Sequence, residues 1–118
     1  MAVDVNDIRR VALALPRAYE VLVRDRVKFR VGQLVFVALS RDERTMGVGF
    51  PKEQRAAMVE AEPAKFAMPA AASDLRYRWI DVNLDAIDVD EMRELVVDAW
   101  AMCVPARVAR EYFAAEDH

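Results

Sequence analysis

Apolar residues recur at two spacings along this chain, and each change of spacing marks a new element. In DVNDIRRVALAL, Val5, Ile8, Val11, Ala12 and Leu15 fall on one helical face. Asp4 stands where an N-cap is expected, Asp7 follows three residues on, and Pro16 stops the run. The pattern predicts an amphipathic helix of about three turns. The spacing then drops to two. YEVLV, residues 19–23, reads as a short strand, and RDRVKFRVGQLVFVAL, residues 24–39, as a hairpin. In a strand, Arg24, Arg26, Lys28 and Arg30 share one face, while Asp25, Val27, Phe29 and Val31 share the other.

Gly32-Gln33 separates the two arms, and glycine at the first loop position predicts a two-residue type II′ turn. A regular hairpin then sets Val31 opposite Leu34, Arg30 opposite Val35, Phe29 opposite Phe36, Lys28 opposite Val37 and Arg26 opposite Leu39. On that register the core face is Val27, Phe29, Val31, Leu34, Phe36 and Ala38. The other face interleaves the cations with Val35, Val37 and Leu39. RTMGVGF predicts a further strand, weakened by Gly47 and Gly49. Pro51 then suits the first position of a helix, PKEQRAAMVEAE, that Pro63 ends.

PAKFAMPAAASD predicts a helical turn and a loop, and LRYRWIDVNL a strand. Ile80, Val82 and Leu84 lie on one face of that strand, with Tyr77, Trp79, Asp81 and Asn83 on the other. The last helix starts at DVDE, where Asp88 and Glu91 match a capping box. Met92, Leu95, Val96, Ala99 and Cys103 make its buried face, and Trp100 pads its flank. After Pro105, RVAREYF resumes as a short helix. This order predicts an α+β fold of two layers, an antiparallel sheet with helices packed on one face. With no repeat or linker, residues 1–118 read as a single domain.

Composition narrows the classes. Hydrophobic residues make up 55% of the 118 and charged residues 31%, a globular balance. No apolar run nears the roughly 18 residues of a membrane span, and the start, MAVDVNDIRR, is too charged for a signal peptide. The single cysteine, Cys103, excludes an internal disulfide and suits a reducing compartment, so a cytoplasmic protein is expected. Fourteen of the 17 basic residues are arginine, a usage that suggests bacterial coding. The formal net charge of −3 argues against a strongly cationic nucleic-acid binder. Yet residues 17–44 carry seven cations against four acids, and residues 81–98 seven acids against one cation.

DIRRVALALP, KFRVGQLVFVAL, FPKEQRAAMVEAEP and RWIDVNLDAIDVDEMRELVVDAWAMCVP, taken in that order, resemble the MmcQ/YjbR family of small bacterial proteins. The resemblance spans roughly residues 4–110. It implies a two-layer fold with an antiparallel sheet, similar to secretion-chaperone-like folds, and it carries a DNA-binding label. One departure is that Arg78 precedes Trp79, where the family often has glycine.

Two readings of function follow from the residues. In the first, Arg24, Arg26, Lys28 and Arg30 track phosphates, while Arg76 and Arg78 with Tyr77 and Trp79 add cations beside stacking aromatics. The expectation is weak, sequence-tolerant DNA binding. The bland counterpart is a solvated sheet face whose arginine stems cover aliphatic neighbours. In the second, Val35, Val37 and Leu39 form an apolar strip that docks a protein partner, a chaperone client or a second copy in a weak homodimer. Enzymatic chemistry is not expected. The one histidine is His118, the glycines of GVG are too few for a phosphate loop, and metal-binding Cys/His spacing is missing. No cofactor, metal or membrane partner is therefore expected.

Overall fold

The computed structural model describes residues 2–69 and 77–116. Helix α1 (Val5–Ala12) opens with a complete capping box: the Asp4 carboxylate accepts from the Asp7 N–H at 2.9 Å, and that of Asp7 from the Asp4 N–H at 3.0 Å. It is shorter than the apolar pattern suggests, because Leu13 already closes it, three residues before the proline. Strand β1 (Ala18–Val23) is followed by a two-residue turn in which Arg24 and Asp25 both have positive φ, 51° and 66°. This is the backbone of a type I′ turn. It removes Arg24 from the cationic stripe, which begins at Arg26 on β2 (Arg26–Val31).

Gly32, at φ 59°, then turns the chain into β3 (Leu34–Leu39). The first two pairs are those a regular hairpin demands, Val31 with Leu34 and Arg30 with Val35. Beyond them the register shifts: Phe29 faces Val37 and Lys28 faces Ala38. Phe36 is the additional residue of a β-bulge, and every later side chain of β3 exchanges faces. Val37 and Leu39, expected on the open face, are wholly buried, as is Phe36. The apolar strip proposed for a partner is thereby reduced to Val35, which is half-buried.

β4 (Thr45–Gly49) pairs with β3, and β6 (Trp79–Asn83) pairs with β4 and with β5 (Phe66–Ala67), giving six antiparallel strands in the order β1-β2-β3-β4-β6-β5. The segment around β5, expected as a helical turn, is drawn into this ladder. Phe29, Val37, Leu39, Met46, Val48, Ile80, Val82 and Phe66 line one face and are buried. α3 (Val89–Ala101), capped by Asp88, covers β3 and β4, with α1 beside it.

Trp100, expected at the flank of α3, instead lies fully buried. Its indole N–H donates to the Pro16 carbonyl at 2.8 Å, and its ring meets Tyr112 of α4 (Ala106–Glu116) edge-on at 5.0 Å. α4 therefore packs on the helical layer and not on the second sheet face. α2 (Lys52–Ala61) lies against β5 and β6. The fold is α+β, a two-layer arrangement of antiparallel sheet and helices. Among the described residues no helix is long and apolar enough to cross a membrane.

Candidate nucleic-acid interface

The second sheet face carries a groove of about 680 Å³ that runs to the end of the sheet where β3 and β6 begin and β4 finishes. Regular alternation along β2 aims Arg26 and Lys28 at this face. Both line the groove, and so do Tyr77, Arg78 and Trp79. The two cationic clusters, fifty residues apart in the chain, thus become one site because β4 joins β3 to β6. Arg24 sits in its turn and Arg30 stays half-buried with its Nε enclosed and unpartnered; neither lines the groove. Arg76 lies outside the described residues.

The charge balance inside the groove is one-sided. Among the described residues three lining side chains are cationic and none is a carboxylate. The cations held in ion pairs lie elsewhere: Arg9 with Glu20 at 2.7 Å, Arg10 with Asp7, Arg44 with Asp85 at 2.6 Å, and Lys65 with Glu91 at 2.7 Å. Three acids of the strongly acidic segment are therefore occupied, Asp85 and Glu91 by cations and Asp88 by its N-cap bond. Arg26 is positioned by its Nε, which donates to the Leu39 carbonyl at 3.0 Å. Its two terminal nitrogens have no partner among the described residues, so they are available to an anion.

Trp79 owes its position to two residues that sequence reasoning undervalued. The first is Gly47. A Cβ there would stand 2.4 Å from the Trp79 Nε1 and 2.8 Å from Cε2 and Cζ2, so the indole lies across the bare backbone of β4. What reads as a weak point in a strand is the seat of an aromatic ring. A glycine inside a strand pattern was the available signal, since it marks a close approach. The second is Arg55 of α2, a buried cation whose Nη1 donates to the carbonyls of Tyr77 at 3.1 Å and Trp79 at 3.0 Å. β5 is too short to pair with this part of β6, and Arg55 satisfies the carbonyls in its place. No signal in PKEQRAAMVEAE distinguishes it from a surface arginine.

The groove's remaining lining is mostly apolar or small: Leu34, Val35, Ala38, Gly49, Ala99, Met102 and Cys103, with the amide of Gln33 at the turn. Burial pushes the Cys103 thiol above its ordinary range, so at neutral pH it is a protonated wall residue and a poor nucleophile. At Gly49 an added Cβ would touch Ala99 of α3 at 3.4 Å. Among the described residues no three His, Cys, Asp or Glu side chains gather as a metal site. The arrangement is thus built to attract an anion beside an aromatic surface.

The curated proteins contain no match to this chain. Among solved structures it is similar to the Deinococcus radiodurans protein DR2400, a crystal structure described by the family-model domain DUF419. The likeness has a TM-score of 0.72 and 21% sequence identity, and covers 84% of this chain and 77% of that one. At that identity the likeness concerns the fold. The YjbR family model matches residues 13–102, which include the whole sheet, α2 and α3. The chain belongs to the YjbR family.

Proposed function

We propose that this protein is a non-enzymatic, sequence-tolerant nucleic-acid-binding protein that holds its ligand in the groove of the open sheet face. The observation that carries the reading is the convergence of Arg26, Lys28 and Arg78 on a groove with Trp79 and Tyr77 alongside and, among the described residues, no lining carboxylate. Cations recognise phosphates whatever the base sequence, and three contacts support modest affinity only. The overall charge of −3 opposes a polyanion at long range, so binding depends on these local contacts and not on the whole-molecule field. The bulge in β3 weakens the protein-docking reading, since it takes Val37 and Leu39 off the surface.

Fluorescence anisotropy with a labelled 20-nucleotide strand, titrated at several salt concentrations, tests this. R26Q/K28Q/R78Q is expected to weaken binding with an unchanged circular dichroism spectrum. Its log-log salt slope should be shallower by about 2, since each lost single-strand phosphate contact removes about 0.7. R107Q/R110Q, on the exposed side of α4, should leave the slope nearly unaltered. No binding at about 50 mM salt, where counterion release helps most, would remove the reading.

A further inference from the structure

We infer that the groove accepts an unpaired base against Trp79, so that its ligand is single-stranded and not duplex nucleic acid. This rests on the nucleic-acid reading above and adds what kind of strand the site takes. Trp79 is supported from beneath by the glycine backbone of β4, and its half-exposed ring lines the groove. A ring packed this closely on backbone is already positioned, and stacking gains most when the platform need not be ordered on binding. The other large indole, Trp100, is buried and hydrogen-bonded to Pro16, so it takes no part.

The groove is also divided by chemistry. Leu34, Met102, Cys103 and Ala99 lie toward the end of the sheet where β3 begins, with Arg78 beside Trp79 there, whereas Arg26 and Lys28 lie along the face. Lys28 is two strands from Gly47 through Ala38, roughly 10 Å across the ladder from the backbone beneath the indole. An aromatic, apolar pocket beside separated cations matches a nucleotide, with its base at one end and phosphate at the other. A duplex presents only its phosphates and keeps its base faces stacked within, so it can reach Arg26 and Lys28 but cannot fill the apolar end. Gln33, with one amide at the groove wall, is too little to read a base, and tolerance of sequence follows.

The test compares three probes of equal length on the wild-type protein at one salt concentration: a single strand, the corresponding duplex, and a strand with abasic sites throughout. The single strand should bind at least about fivefold more tightly than either of the others, because a base stacked on an aromatic residue is worth at least that factor. It should also quench the tryptophan emission that W79F lacks. W79A should bind the single strand about as weakly as wild type binds the abasic strand, and W79F should recover most of the loss. If duplex and abasic strands bind wild type as tightly as the single strand, while R26Q/K28Q/R78Q still weakens all three, the phosphate reading stands and the base site is overturned. If no probe shows dependence on those three cations, both readings fall. The abasic comparison needs no variant, so it decides the matter even if W79A fails to fold.

Discussion

At the scale of single residues, one additional position in β3 decides which surface this protein presents. Val35, Val37 and Leu39 look equivalent in the sequence, since alternation gives them one face. The bulge at Phe36 separates them, leaving Val35 half-buried beside Arg30 and sending Val37 and Leu39 into the core. LVFVAL carries no polar residue to betray the slip, because every position is apolar and either face can be buried. The consequence is measurable. Leu39→Ala should cost about 2–5 kcal/mol, as a buried leucine does, while Val35→Ala should cost about 1 kcal/mol for its two methyl groups at partial exposure. Chemical denaturation of the two variants checks this, and equal small losses would mean the regular register. Glycine was misread at the same scale. Gly47 and Gly49 look like weaknesses of a strand until their neighbours are known: an indole at the first and Ala99 of α3 at the second.

At the scale of elements, most of the architecture was legible. The capping aspartates, the Gly32-Gln33 turn and the alternation of Ile80, Val82 and Leu84 each reflect local chemistry that acts within a few residues, whereas Pro51 stands at the N-cap of α2 and not at its first helical position. What was not legible is supplied by partners distant in sequence. β5 exists only because β6 offers it an edge, and Phe66 is buried there although its flanking sequence is turn-like. Arg55 is the clearest case. Its charge marks it for the surface, yet it is 8% exposed and ties α2 to the strand that carries Arg78 and Trp79. Arg55→Met should lower stability by about 1–3 kcal/mol, because two carbonyls lose a charged donor. It should also weaken nucleic-acid binding more than the lost stability accounts for, since the segment it anchors lines the groove. Arg55→Lys keeps a charged donor, but on a shorter stem than the one that brings Nη1 to both carbonyls, and should rescue only part of the loss. Denaturation midpoints and anisotropy on both variants separate the two effects.

At the scale of the whole molecule, several carboxylates are engaged at helix starts, in turns and in ion pairs. This engagement predicts how stability follows pH. The Asp7 carboxyl is held below its ordinary 3.8 by the Asp4 backbone N–H and then by Arg10, and Asp42 by Ser40 and the Arg44 N–H. Groups so depressed stabilise the fold above the ordinary carboxylate range, and that contribution is lost as pH falls through their lowered values. Asp98 behaves in the opposite sense. Desolvation, and then the neighbouring Glu94, raise its carboxyl above 3.8. Its ionised form is disfavoured in the fold, so it detracts from stability at neutral pH and ceases to do so once both folded and unfolded states are protonated. Asp98→Asn should therefore be more stable than wild type at pH 7, by about 0.5 kcal/mol given solvent screening on α3. The advantage should shrink as pH falls through the raised value and vanish below about pH 3, where the unfolded carboxyl is protonated too. Denaturation midpoints at pH 7, 5 and 3 check the trend. An advantage for Asp98→Asn that persists unchanged at pH 3 would mean that its cause is packing and not the carboxylate's charge.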